Sequence, residues 1–171
     1  MTCCAGSQEN EFLGQVVDRT GGELTPVITD AVLKTVKAMF GQSMYAVQNR
    51  TARDVPPCYA ASVVLLQGSS CFRLRLAFDG PLLKKLVAAV YPLEAANAED
   101  ALRDVASEIS NIIAGHLKTF VNQKGFNVSR DLPVMESAAT GADAETASFS
   151  LNFSIFQNSL SLRNLLNVSL L

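Results

Sequence analysis

One ridge of polar side chains on a predicted helix holds the residue types that could do chemistry. The helix is predicted from Asn97 or Ala98 to Lys124. At 100° per residue, six of its positions fall within about 40° of a single line along the axis. They are Asp104, Glu108, Asn111, Gly115, Lys118 and Asn122. An amide and a glycine stand where an exposed helix face normally carries salt-bridge partners, and glycine in a helix interior costs about 1 kcal/mol relative to alanine. The ridge therefore favours a closely fitting partner.

The alternative is that the ridge is an ordinary solvated face. The opposite side of the same helix is apolar and would pack on the core. It comprises Leu102, Val105, Ala106, Ile109, Ile113, His116, Leu117 and Phe120. His116 projects onto this apolar side, so we interpret it as a core or boundary histidine and not as a general base.

No other pattern in the sequence points to enzymatic chemistry. G-x-S-x-G, a phosphate-binding P-loop and a strand followed by G-x-G-x-x-G are all missing, and His116 is the single histidine that a catalytic triad could use. The four cysteines, at positions 3, 4, 58 and 71, form no C-x-x-C pair. They are read as free thiols, and we expect no metal or cofactor bound by this chain itself.

Length and composition limit the classes of protein further. A chain of 171 residues with 49% hydrophobic residues is expected to form one domain with a substantial core. Its net charge of -2 argues against nucleic-acid binding. No apolar stretch approaches the roughly 20 residues that span a bilayer, and residues 1–10 lack the features of a secretory signal. We therefore expect a cytoplasmic protein with neither a nucleic-acid nor a membrane partner.

The helix with the ridge must be held by the elements around it. A helix is predicted from Leu24-Thr25-Pro26 to Gly41, and a shorter one over 82–90. A hairpin with one buried face is predicted over 61–66 and 71–78. Further strands are expected at 43–47, at 134–137 and on both sides of a turn at 157–159, with Asn164 marking a bulge. The expected fold is α+β, a single domain whose largely antiparallel sheet packs against two or three helices.

The chain is expected to divide into a terminal extension and this domain. Residues 1–23 are polar and punctuated by glycine, and we expect them to be poorly ordered. One apolar cluster interrupts them and could form a short strand or a docking arm; its members are Phe12, Leu13, Val16 and Val17. The domain itself is assigned to residues 24–171.

The stretch DVASEISNIIAGHLK, residues 104–118, resembles the CheC/CheX/FliY group of chemotaxis phosphatases. Their signature is D/S-x-x-x-E-x-x-N followed at a distance by proline, here Asp104, Glu108, Asn111 and Pro133. The resemblance covers roughly residues 24–171 and implies a CheC-like fold. No second Glu-x-x-Asn occurs in the helix before Gly41, and a single motif points to the CheX members.

The resemblance also implies an activity. Members remove the phosphoryl group from the phosphoaspartate of a CheY-like response regulator. Asn111 would then orient the attacking water, and Glu108 would pair with the receiver's lysine. Asp104, Gly115 and Lys118 would contact the receiver, and Mg²⁺ would be held by that partner. A homodimer joined through edge strands is also implied.

Two alternatives remain at this point. A non-catalytic adaptor of the same fold could bind receivers or a flagellar switch component, and an unrelated structural domain is the third possibility. The presence of both Glu108 and Asn111 favours the enzyme over the adaptor.

Overall fold

A computed structural model describes residues 6–47, 59–92, 94–136, 149–155 and 164–171. Within these ranges the chain forms four helices and seven strands. The helices are α1 (Gly6–Thr20), α2 (Leu24–Phe40), α3 (Gly80–Ala88) and α4 (Glu99–Gln123). The strands are β1 (Tyr45–Val47), β2 (Tyr59–Gln67), β3 (Ser70–Phe78), β4 (Ser129–Arg130), β5 (Val134–Met135), β6 (Phe149–Ser154) and β7 (Leu165–Leu170). The α+β class predicted from the sequence is confirmed.

All described strands belong to one sheet in the order β1-β6-β7-β3-β2-β4, with β5 also pairing with β2. Every pairing in it is antiparallel. The predicted hairpin is β2 and β3, which turn at Gly68 with a positive φ of 62° that glycine adopts without a steric penalty. The predicted turn at 157–159 lies outside the described residues.

The helices pack on the sheet face that carries Phe72, Leu74 and Leu76 of β3. Helix α1 contacts β3, while α4 contacts β2 and β3 and is flanked by α2 and α3. Helix α2 ends as predicted, because Gly41 adopts a left-handed φ of 68° and its N–H donates to the carbonyl of Lys37. Helix α4 is thus supported along its length by the sheet and by two neighbouring helices.

Residues 6–20 correct the prediction of a poorly ordered extension. They form α1, and Phe12, Leu13 and Val16 of the apolar cluster are buried. The ring of Phe12 lies 5.8 Å from the rings of both Phe72 and Phe126. Packing against the sheet supplies the stability that the polar sequence of this helix does not, since short helices depend on tertiary burial. Counting α1, the described residues contain one helix more than the two or three expected.

The second face of β3 also departs from the prediction. A hairpin with one buried face would expose Arg75, yet Arg75 is 3% exposed. Its Nε lies 2.8 Å from Oε2 of Glu136, and Ser62 on β2 donates a hydrogen bond to Oε1 of the same carboxylate. A charged group at such a buried position requires a partner. The partner comes from the segment after β5, far along the chain, so strand periodicity did not reveal it.

Asn164 stands at the start of β7 with a positive φ of 66°. Its backbone N–H donates to the carboxylate of Asp79, the residue that precedes α3. The pattern break predicted as a bulge is therefore the left-handed residue that leads into the strand.

Within the described ranges, no helix combines the length and apolar character needed to cross a bilayer.

Candidate functional site

The ridge on α4 is held outward by the burial of the opposite side of the helix. Leu102, Ile109 and Ile113 are each no more than 1% exposed and face the core. Glu108 is exposed and Asn111 is half-buried. The predicted two-faced helix is therefore confirmed, with the carboxylate open to solvent and the amide partly covered.

A groove of about 690 Å³ runs beside this ridge. Its polar wall is formed by α4, and its apolar walls come from the end of α2, the residues after α3 and the segment between β4 and β5. The polar residues lining it are Asp104, Ser107, Glu108 and Asn111. Pro133, the proline of the sequence motif, lines the same groove. Two segments distant in sequence thus bring the motif's four residues to one groove.

A bulge at the edge of the sheet places Pro133 in the groove. Arg130 pairs with Leu65 and Val134 pairs with Ser62, so the three residues 131–133 oppose only two residues of β2. The N–H of Asp131 still bonds to the carbonyl of Val64. The extra residue bends the strand, and bulges of this kind redirect side chains beside functional sites.

The rim of the groove is apolar and unusually exposed. Leu132 is 80% exposed, Val90 49% and Tyr91 42%. Isolated exposed apolar residues are common, but these three border one groove that also contains two carboxylates. An exposed apolar patch beside polar groups marks a candidate protein-docking surface.

Arg130 on β4 covers the amide of Asn111. Its Nη1 donates to the backbone carbonyl oxygen of Asn111 at 3.1 Å and also to the side-chain Oδ1. Because a guanidinium has donors and no acceptor, the oxygen of this amide must face it. Arg130 was not predicted as a site residue, because it lies in a two-residue strand that is too short to show periodicity.

The remaining ridge residues have separate surroundings. A Cβ at Gly115 would lie 3.9 Å from the guanidinium of Arg130, so the group that lies over this glycine is the chain's own arginine. Lys118 is half-buried, and neither it nor Gly115 lines the groove. Asn122 holds the turn after α4, because its Nδ2 donates to the carbonyl of Val128 and its Oδ1 accepts from the N–H of Val128.

His116 is exposed, so the prediction of a core or boundary histidine is wrong. In the second half of α4 the buried residues Ile113, Ala114, Leu117 and Val121 lie at about 180–280° from Asp104, whereas His116 lies at about 120°. The buried stripe therefore shifts around the axis along α4. A single straight projection does not include this shift.

Two carboxylates in the groove are available to a partner. Neither Asp104 nor Glu108 has an ion-pair or hydrogen-bond partner among the residues that the structure describes. The described residues also contain no cluster of three metal-binding side chains. The groove thus holds two carboxylates, unpaired within the described residues, beside the Asn111 amide that Arg130 contacts.

The first turn of α4 is tied to the sheet. The hydroxyl of Tyr59 donates to Oε2 of Glu99 at 2.8 Å, and Nε of Arg103 donates to Oε1 at 3.2 Å. Both hydrogen bonds hold the pKa of the Glu99 carboxyl below its ordinary value of 4.5, and the bond from Tyr59 has the larger effect. They orient the start of the helix that carries the ridge.

Solved structures with the same fold are chemotaxis proteins. The chemotaxis protein CheX from Vibrio vulnificus is 14% identical with a TM-score of 0.64, covering 87% of this chain and 95% of its own. A CheC-like superfamily protein from Shewanella sp. PV-4 is 13% identical with a TM-score of 0.65, covering 88% and 99%. CheX of Borrelia burgdorferi, solved in a complex with CheY, BeF3 and Mg²⁺, is 16% identical with a TM-score of 0.61, covering 85% and 95%. At these identities the likeness shows a shared CheC-like fold.

A search among curated proteins gave no significant match. The family model described as chemotaxis phosphatase CheX matches residues 60–154. The match spans more than half of the chain and includes the ridge, Arg130 and Pro133. The chain therefore belongs to the CheX family.

Proposed function

We propose that this protein is a phosphatase that hydrolyses the phosphoaspartate of a CheY-like receiver domain. The observation that carries the proposal is the meeting of Glu108, Asn111 and Pro133 in one groove with an exposed apolar rim. A carboxylate and an amide surrounded by docking surface are what a catalyst needs when its substrate is another folded protein.

The proposed chemistry asks little of the catalyst. An acyl phosphate is already activated, so hydrolysis requires a water placed in line with phosphorus and stabilisation of the charge that develops. The water oxygen bonds to phosphorus as the bond to the aspartate oxygen breaks, which yields inorganic phosphate and the free carboxylate. Asn111 is proposed to orient this water through its amide.

Glu108 is proposed to position the partner. Its carboxylate is exposed and has no partner in the described part of the chain, so it can form a charge-assisted hydrogen bond to the lysine beside the receiver's phosphoaspartate. Asp104, on the same groove wall, is proposed to contact the receiver, and Gly115 and Lys118 are proposed as further contacts. Mg²⁺ would be held by the receiver. The complex solved for the Borrelia burgdorferi relative contains CheY and Mg²⁺, which supports this arrangement.

A homodimer joined through edge strands is proposed as the assembly. Strand β1 stands at one end of the described sheet and pairs with β6 alone, and Tyr45 on it is 38% exposed. An open edge is commonly covered by a second chain.

A cytoplasmic location is proposed as well, because the proposed substrate is a CheY-like receiver domain.

The test is direct dephosphorylation. Receiver domains from the same genome are charged with acetyl phosphate, and the loss of phosphoaspartate is followed with and without catalytic amounts of this protein. A faster loss of phosphoaspartate that is absent with the Asn111→Ala variant supports the phosphatase. Binding to the phosphorylated receiver with no acceleration would instead identify an adaptor.

A further inference from the structure

Arg130 lies against two residues of the ridge, Asn111 and Gly115. Its guanidinium bonds to both oxygens of Asn111, and it lies over Gly115, one helical turn along α4. No other described side chain approaches the Cβ position of Gly115 within 4 Å. Any side chain longer than a methyl group directed there would meet the guanidinium. A methyl group would make only ordinary van der Waals contact with it, so a small residue, glycine or alanine, is what leaves room for the arginine to lie across the helix.

Arg130 does not serve an ion pair in the described part of the chain. Its recorded hydrogen bonds go to Asn111, and no carboxylate of a described residue pairs with it. Here the charge is directed instead at an uncharged amide in the groove.

The consequence for Asn111 is a fixed side-chain orientation. One lone pair of Oδ1 accepts from Nη1, and no other described residue bonds to the second lone pair or to the two Nδ2 hydrogens. Without the arginine, the amide could rotate about its terminal torsion, whose rotamer well is broad. A nearby positive charge also polarises the amide, which strengthens Nδ2 as a donor.

We propose that Arg130 is a positioning residue that sets the orientation of the Asn111 amide for the attacking water. The inference rests on the proposed phosphatase function. Arg130 acts through Asn111. The turn that Asn122 stabilises and the pairing of β4 with β2 hold Arg130 next to α4. The site is thus built from a helix and an edge strand, both anchored to β2.

The kinetic test uses Arg130→Ala and Arg130→Lys on the full chain. Arg130→Ala is expected to lower kcat by about tenfold or more, since small misplacements of a catalytic group carry losses of this size, while KM for the phosphorylated receiver changes by less than about threefold. Arg130→Lys, which keeps a positively charged donor group without the planar fork, is expected to restore part of kcat. Lys84→Ala removes an exposed cation of α3 outside the groove lining and serves as the control, with kcat near wild type.

A double-mutant cycle separates positioning from a direct role. In the Asn111→Ala background, Arg130→Ala is expected to produce no further loss of kcat, because no amide remains to be oriented. An equal loss in both backgrounds would overturn the proposal, and so would a faster Arg130→Ala enzyme, which would make the contact inhibitory.

A measurement without turnover distinguishes this inference from the proposed function. In ¹⁵N-labelled protein, the side-chain NH₂ signals of Asn111 are assigned by their loss in Asn111→Ala. They are expected to be ordered in the wild type, mobile in Arg130→Ala and intermediate in Arg130→Lys, with Lys84→Ala unchanged. Equal order in wild type and Arg130→Ala would overturn the inference even in an active enzyme. An inactive wild type with this ordered amide would refute the phosphatase while confirming the contact.

Discussion

Asn122 and Val128 bond to each other twice across the turn that follows α4. The Nδ2 of Asn122 lies 3.1 Å from the carbonyl oxygen of Val128, and the N–H of Val128 lies 2.7 Å from Oδ1 of Asn122. The side-chain amide donates to and accepts from one backbone unit, as a neighbouring strand would, and so fixes the path of the chain from the helix into β4. Since β4 carries Arg130, this turn sets the distance between helix and edge strand at the candidate site.

Replacing Asn122 with alanine is expected to lower the free energy of unfolding by about 1–2 kcal/mol, because two backbone groups lose their partner. Turnover should fall as well, since the strand carrying Arg130 is no longer held. Urea denaturation checks the first expectation. Gln123→Ala, at the exposed neighbouring position, should stay within about 0.5 kcal/mol of wild type.

Removing the amide of Asn111 tests the enzyme against the adaptor. Asn111→Ala is expected to lower turnover by about 10²-fold, a loss of roughly 3 kcal/mol of transition-state stabilisation, while binding of the phosphorylated receiver persists. Phosphoaspartate decay and a binding titration measure the two effects. His116→Gln, at an exposed position outside the groove lining, is the control and should retain turnover. Full activity in Asn111→Ala would remove the catalytic assignment and favour the adaptor.

Removing the charge of Glu108 is expected to impair binding and turnover together. Glu108→Gln keeps the shape but loses the ion pair with the receiver's lysine, which exists before and during the reaction. A decrease of about tenfold in kcat/KM is expected, with a weaker dependence on salt. Asp100→Asn, an exposed acidic position in the first turn of the same helix, is the control. Equal salt dependence in Glu108→Gln and wild type would argue against the ion pair.

The exposed rim of the groove should contribute to docking and not to folding. Leu132→Ser is expected to raise KM for the receiver by about fivefold, the size of a moderate interface contact, and to leave the free energy of unfolding within about 0.5 kcal/mol. Val134→Ser is the matched control, because Val134 is 66% exposed on the same edge but does not line the groove. Similar KM values in both variants would place the docking surface elsewhere.

The assembly is checked by light scattering over micromolar concentrations. A twofold dimer through β1 predicts twice the mass of one chain, and Tyr45→Lys should shift the equilibrium toward monomer because charged residues discourage edge pairing. A wild-type mass of one chain at every concentration would contradict the dimer.

Local sequence determined the helix that carries the site and the face that Glu108 occupies. Helical periodicity is a property of neighbouring residues, so the burial of Ile109 and Ile113 and the exposure of Glu108 could be predicted without the fold. The ends of α2 followed in the same way from Pro26 and Gly41. Sheet class and the β2–β3 hairpin were also visible in the alternation of side chains around Gly68.

Tertiary structure alone decided what surrounds those residues. Asn111 and Arg130 are 19 positions apart, and Arg75 and Glu136 are 61 apart. A contact of this kind depends on how an edge strand returns to a helix, which no local pattern encodes. The burial of α1 and the exposure of His116 have the same origin, because both depend on which elements pack at each point along the sheet and along α4. Local periodicity assigns a side chain to a face of its own element, but packing between elements decides what that face meets.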